Sequence, residues 1–361
     1  MKILITMGHP AHVHFYKNFI WEMHKKGHEI KIAASNKDIL LNLLDAYGFS
    51  YSLISAQKNK GFGRIKDQIL HEINLYKISR EFNPDVITGI GGTAASHISK
   101  ITKTKSIIFT DTEHAKIANS ITFPFADVIC TPSSFLNKIG TKQIRYNGYH
   151  ELAYLHPKYF IPNPVVLNEL GLKEEDMFIV LRFISWGASH DVGHHGIENK
   201  LEFVKELEKY GKVIITSESP LEPELEQYKI KVSPEKLHDL LYYATLYIGE
   251  GGTMASEAAT LGTHAIHIST TAKYCGLFSD LNKFGLMWIS DDETGVIDLA
   301  KKLLEGRNLR EEGKEKRETM MQDKIDVTEF MVWLIENYPD SFKIAKEKYS
   351  FTSLLSDGGP K

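Results

Sequence analysis

The 361 residues exceed one ordinary domain of about 150 residues and suit two, each long enough to bury a core. With 42% hydrophobic and 25% charged residues the chain has a globular balance, and no run approaches the ~20 apolar residues of a membrane span. The net charge of −3 hides an asymmetry, because residues 1–165 carry 20 Lys+Arg against 12 Asp+Glu and the remainder 23 against 34.

The opening "MKILITMGHP" has no small-residue cleavage site and reads as a first strand, which makes a cytoplasmic location the expectation. Short β-branched runs then alternate with amphipathic helical patterns: "HFYKNFIWEMHKKG", "EIKIAAS", "DILLNLLDAYG" and a helix around "RIKDQILHEINLYKISREF". That βαβα rhythm implies a parallel sheet covered by helices on both faces. "PDVITGIGG", "KSIIFT", "DVICTP" and "QIRYNG" follow as buried strands, each ended by Gly, Pro or a polar residue. Three prolines between Pro157 and Pro164 mark a linker.

The rhythm restarts with "MFIVLRF", a helix "NKLEFVKELEKYG", a strand "KVIITSE", and a helix "SPEKLHDLLYYA" with Ser233 as N-cap. "TLYIGEGG" is a strand leading into a glycine pair, followed by "HAIHIS", "GLMWIS" and a helix from about Thr294. A charged run precedes "VTEFMVWLIENYP", an amphipathic helix whose aromatic stripe suits packing. The domains expected are 1–160, 161–325, a C-terminal helix within 326–350 and a tail, 351–361.

"GEGGTMASEAATLG", residues 249–262, places a glycine pair between a strand and a helix, at the edge where parallel sheets bind ligands. Backbone N–H groups at a helix start favour an anion, and Gly251 and Gly252 let a phosphate approach without a Cβ in the way. Thr253 adds a hydroxyl, and Glu257, one turn in, suits the hydroxyls of a ribose. The plainer reading is a tight turn with Glu257 on a solvated helix face.

Three further stretches gather polar groups at strand ends. "MGHPAHVHFYK" sets Gly8, His9, His12 and His14 after the first strand; a histidine suits general-base work because its pKa lies near working pH. "TGIGGTAASHIS" repeats the strand, Gly91–Gly92, helix order and either holds another anion or packs closely. "FTDTEHAKIANS" clusters Asp111, Glu113 and His114. No metal is expected: the three early histidines have no acid or cysteine beside them, His190, Asp191, His194 and His195 lack a converging spacing, and Cys130 and Cys275 form no CxxC. Nucleic acid is not an expected partner, since the basic residues are dispersed.

"GEGGTMASEAATLGTHAIHI" resembles the glycine-rich, glutamate-bearing motif of glycosyltransferase-B enzymes and of the UDP-N-acetylglucosamine 2-epimerases. The chain as a whole, over roughly residues 1–335, is similar to domain-of-unknown-function family 354, which shares that superfold. The resemblance implies an α/β fold with two Rossmann-like domains facing across a cleft, the last helix crossing back to the first. It implies a nucleotide-sugar site at Gly251, Gly252, Thr253 and Glu257, with Arg182 and Ser185 of "RFISWGASHDVGHHG" on the diphosphate and His190 nearby. The first loop would lie beside the acceptor, with His12 or His14 as base. Glu113 matches an acid of the epimerases, but two other acids of their pattern are missing here, which weighs against epimerisation.

The leading expectation is therefore a metal-independent, cofactor-free glycosyltransferase using a nucleotide sugar, UDP-linked by resemblance, and an anionic or membrane-associated acceptor such as a lipid-linked one. A 2-epimerase-like enzyme and a non-catalytic nucleotide-sugar-binding protein are the alternatives. Peripheral membrane contact and a homodimer are both compatible with the sequence.

Overall fold

The computed structural model describes residues 1–56, 63–184, 197, 199–217, 220–306 and 308–347. Its contacts divide the chain into two units, Met1–Tyr159 together with the chain from Lys324, and Phe160–Asp323.

The first unit holds seven strands: β1 (Lys2–Met7), β2 (Glu29–Asn36), β3 (Tyr51–Ala56), β4 (Val86–Ile90), β5 (Lys105–Phe109), β6 (Val128–Pro132) and β7 (Gln143–Tyr146). They form one parallel sheet in the order β3-β2-β1-β4-β5-β6-β7. β3, which hydrophobic patterning passes over, is the edge strand; its Leu53 is exposed where a central strand would bury it. The sheet reverses direction of growth between β1 and β4, so the crevice beyond their C-terminal ends is the natural ligand position. Leu4, Ile87, Ile108 and Ile129 from neighbouring strands join Ala95 and Ile98 of the helix Thr93–Thr102 in one buried cluster.

The helix Val327–Glu336 belongs to this unit. Thr328 Oγ1 donates to the Ala153 carbonyl at 2.7 Å, and the Ile325 N–H donates to the Asn147 carbonyl at 2.9 Å. Lys158 Nζ reaches the Asp326 carboxylate at 3.0 Å, and Phe330 packs on Tyr146.

The second unit has five parallel strands, β8 (Phe178–Phe183), β9 (Lys212–Ser217), β10 (Leu246–Gly249), β11 (Ala265–Ile268) and β12 (Met287–Ser290), in the order β12-β11-β10-β8-β9. Here the reversal falls between β8 and β10. Ile179, Leu181, Val213, Ile248 and Ile266 fill the core beneath. Ser233 precedes a short 3₁₀ turn, Pro234–Lys236, and its hydroxyl donates to Glu235 at 2.6 Å, so it does not cap the helix Leu237–Tyr243 as its sequence position suggests. The charged run is itself a helix, Leu309–Asp323.

That helix braces the element carrying the glycine pair. Arg317 donates to the Thr260 carbonyl at 3.2 Å, placing a cation at the C-terminal end of the helix Gly252–Thr260, where the helix dipole favours it. Gly313 presses against the turn that follows: a Cβ there would lie 1.9 Å from the Gly262 carbonyl oxygen. Both contacting groups are backbone, so no rotamer relieves the clash. Gly313→Ala is expected to cost at least about 2 kcal/mol and lower the melting temperature by roughly 5 °C or more; a thermal melt matching the wild type would contradict the close approach.

Candidate functional site

Each unit gathers polar groups at the C-terminal edge of its sheet. In the second unit, β10 runs into Glu250 and then Gly251, the N-cap of the helix Gly252–Thr260. Gly251 offers no side chain to cap that helix, and its first turn holds no acid. Among the described residues no side chain caps the first amide N–H groups, and Thr253 beside them is exposed.

Packing explains why glycine recurs here. A Cβ on Gly249 would sit 2.4 Å from the Tyr247 hydroxyl and 2.7 Å from Arg182 Cβ, and one on Gly252 would sit 2.8 Å from Phe278 Cζ. At Gly251 a Cβ would lie 3.3 Å from Arg182 Cγ, so the arginine stem runs along the bare backbone of the cap. Arg182, next to last in β8, pairs with Gly249 at the end of β10, which sets a guanidinium against a helix N-terminus at the reversal point of the sheet.

His267, on β11, approaches the same glycines. Its Nδ1 lies 3.2 Å from the Gly249 carbonyl oxygen, and its Nε2 would be 3.5 Å from a Cβ at Gly252. Burial pulls its pKa down to about 4, with the Gly249 bond a smaller effect in the other direction. At neutral pH it is thus uncharged, so Nδ1–H donates to Gly249, and the positive charge beside the glycines comes from Arg182.

Glu257 is buried, and its Oε1 is 3.1 Å from Nε2 of His238, which is also buried. The carboxylate is thus placed one turn into the helix but held by a histidine from Leu237–Tyr243, not spread on a solvated face. Glu250, inside the quoted motif yet passed over, accepts the Ile184 N–H at 2.9 Å and the Ile197 N–H at 3.1 Å. These two backbone groups flank 185–196, and one buried carboxylate fixes both. Ser185, Trp186, His190, Asp191, His194 and His195 lie outside the described residues.

In the first unit Gly8 follows β1, and His9 caps the helix Pro10–Lys25 by accepting the Ala11 N–H at 3.2 Å. His12 Nδ1 accepts the Gly8 N–H at 3.2 Å, which leaves the proton of the neutral ring on Nε2. Burial, then the charges of His9 and His150, pull its pKa down to about 3. The neutral ring thus presents an N–H at Nε2. His14 is buried, stacked on Tyr154 with ring centroids 5.4 Å apart and 3.3 Å from the Tyr47 hydroxyl.

Gly91 and Gly92 both adopt positive φ, +67° and +40°, and a Cβ on Gly92 would meet Ile108 at 2.6 Å. Close packing of the helix start against β5 accounts for the pair. Beyond β5, Glu113 is buried and its Oε1 accepts the Leu136 N–H at 3.1 Å, while His114 is exposed.

Asp111 makes the more telling contact. Its Oδ2 lies 3.0 Å from Nδ1 of His150, a residue beyond β7 that sequence patterning does not single out. Burial works against the charged carboxylate, but the charge and hydrogen bond of His150, with the Thr112 hydroxyl at 3.0 Å, outweigh it and bring its pKa to about 2. For His150 burial likewise opposes charge, and Asp111 and Glu151 overcome it, raising the imidazole above 6.5. The buried His150 and the partly exposed Asp111 thus each favour the charged form of the other. Among the described residues no group of three or more His, Cys, Asp or Glu forms a metal-binding cluster, and no helix is long and apolar enough to cross a membrane.

Residues 1–338 match the family described as "Protein of unknown function (DUF354)". The chain belongs to that family. An uncharacterized protein of Methanocaldococcus jannaschii is 25% identical over 279 residues, 73% of this chain and 80% of the relative. Among solved structures the chain is similar to S. aureus MnaA in its complex with UDP, with a TM-score of 0.68 at 11% identity, covering 94% of this chain and 97% of that one. It is similar to the UDP-GlcNAc 2-epimerase from Neisseria meningitidis bound to UDP-GlcNAc, at 0.65 and 16% over 93% and 100%. The Streptomyces sp. SF2575 glycosyltransferase SsfS6 with thymidine diphosphate gives 0.63 and 12% over 92% and 99%. The fold is thus that of the glycosyltransferase-B enzymes and the UDP-GlcNAc 2-epimerases.

The Asp111–His150 pair fixes its own pH behaviour. Asp111, depressed from 3.8 to about 2, contributes stability above pH 3.8 that is lost as the pH falls through 2. His150, raised above 6.5, contributes stability below that pH which is lost as the pH rises through its folded value. In Asp111→Asn the charge of Asp111 is gone and only that of Glu151 still opposes burial, so the His150 pKa should fall. An imidazole NMR titration checks this, and an unshifted His150 would mean that Asp111 does not hold its charge.

Proposed function

We propose that the protein is a nucleotide-sugar-dependent glycosyltransferase whose second unit binds the donor and whose first unit binds the acceptor. The observation that carries this reading is the uncapped helix start at Gly251–Gly252–Thr253 lying against Arg182 at the reversal point of a parallel sheet. Backbone N–H groups and a guanidinium together suit a diphosphate, and they offset the charge that grows on it as the sugar leaves. That arrangement needs no metal or cofactor. UDP is the favoured donor nucleotide, because two of the similar structures contain UDP or UDP-GlcNAc. Glu257, oriented by His238, is assigned to the ribose.

On the acceptor side, the carboxylate of Asp111 would accept a hydrogen bond from the acceptor hydroxyl and orient it, its pKa of about 2 making it a weak base. His12 Nε2–H lies within the same electrostatic cluster and would orient the acceptor oxygen. The basic balance of residues 1–165 favours an anionic or lipid-linked acceptor.

Glu113 keeps a second reading in play, C2 epimerisation of a UDP-sugar, since it occupies the position of an acid in the epimerase pattern. Its bond to the Leu136 N–H counts against it as a mobile proton carrier. The two reactions separate when a nucleotide sugar is incubated alone and followed by proton NMR: a transferase leaves C2 unchanged, whereas accumulation of the C2 epimer supports the alternative.

Donor binding itself is tested by calorimetric titration with UDP, TDP, GDP and ADP. One of them should saturate the protein, and Arg182→Ala should weaken its binding at least about tenfold, roughly 1.4 kcal/mol. Failure of all four to bind, or equal affinity in the variant, would overturn the donor-site assignment.

A further inference from the structure

The first unit exposes large apolar side chains on three neighbouring elements. On the helix Gly63–Phe82, Ile69, Ile73 and Tyr76 recur at helical spacing and are 55%, 43% and 38% exposed. On the helix Thr93–Thr102, Ile101 is 64% exposed, and on Lys116–Thr122, Ile117 is 81% exposed, with Phe125 just beyond it also exposed.

His97 shows that these elements share one face. Its Nδ1 is 3.2 Å from Glu72, which falls within the Ile69–Ile73–Tyr76 stripe, and its Nε2 is 2.8 Å from the Ile121 carbonyl oxygen. The Phe125 ring lies 4.8 Å from the imidazole, and Ile101 follows His97 by one helical turn. The apolar residues therefore surround a single His97 hub. Isolated exposed apolar residues are ordinary, but several on adjoining elements mark an interaction surface.

Cations border this face. Lys77 and Arg80 extend the stripe of the first helix, with Arg80 one turn beyond Tyr76, and Lys116 precedes Ile117; all three are exposed. Of the acids on and beside these elements, Glu72 is engaged by His97 and Asp127 by Lys100 at 2.6 Å, while Glu81 is exposed beside Arg80. Apolar residues rimmed by exposed cations fit the interface of an anionic bilayer, where side chains enter the headgroup boundary and lysine or arginine meets lipid phosphate.

We infer that this face docks the protein peripherally on an anionic lipid bilayer. The inference rests on exposure and charge in the first unit and does not depend on the glycosyltransferase reading. A failure here leaves nucleotide binding untouched.

The test is co-sedimentation of the full chain with phosphatidylcholine vesicles containing about 30% phosphatidylglycerol, against pure phosphatidylcholine, with the triple variant Ile73→Gln, Ile117→Gln, Phe125→Gln in parallel. All three positions are exposed, and a thermal melt equal to wild type checks the fold. The expected result is binding to the anionic vesicles at least about tenfold tighter than to neutral ones, reduced at least about tenfold in the variant. Absence of vesicle binding, or equal binding by the variant, overturns the proposal. Wild-type self-association that the triple variant abolishes, without vesicle binding, would assign the face to a second copy of the chain and also overturn it.

Discussion

Three glycine positions at the end of β10 govern the second unit. Side chains at Gly249, Gly251 and Gly252 would collide with or crowd Tyr247, Arg182 and Phe278, so only bare backbone lets the ends of β8 and β10 and the following helix come together. The same bareness leaves the helix amides uncovered. One steric requirement thus produces both the packing and the bare helix start at which a diphosphate is proposed to bind. Arg182 lies against that surface because it shares the close approach, and Glu250 takes the neighbouring backbone N–H groups of Ile184 and Ile197.

The first unit solves a different problem, keeping a carboxylate charged in a partly dry place. Asp111 would drift toward neutrality on burial alone, and His150 would lose its proton. Together each stabilises the charged form of the other. The pair therefore supplies a fixed negative charge at the end of β5, whereas His12, bound through Nδ1 to the Gly8 amide, supplies a fixed N–H. Both are oriented by groups that belong to loops beyond strand ends, where parallel α/β sheets place their chemistry.

Much of this was legible in the chain. The βαβα rhythm, the glycine pair after a strand and the titratable cluster of "DTEHA" depend on local patterning, which sequence carries directly. β3 escaped because an edge strand with an exposed leucine lacks the continuous apolar run of its neighbours. His150, His238, His267 and Glu250 escaped for another reason: each acquires its role from a partner distant in sequence. His150 is 39 positions from Asp111, and nothing in "NGYHELAYL" announces a buried histidine paired with a carboxylate. The charge asymmetry does not say which elements adjoin, and that Glu72 and Ile121 both meet His97 is visible only in the fold.

The account rests on the helix start at Gly251–Thr253 receiving a diphosphate. The most direct measurement is amide NMR of the labelled protein during titration with UDP. The largest shifts should fall on the backbone N–H groups of Gly252, Thr253 and Met254, because these amides would donate to the phosphate oxygens. Saturable UDP binding that leaves those three amides unmoved would contradict the assignment of the site.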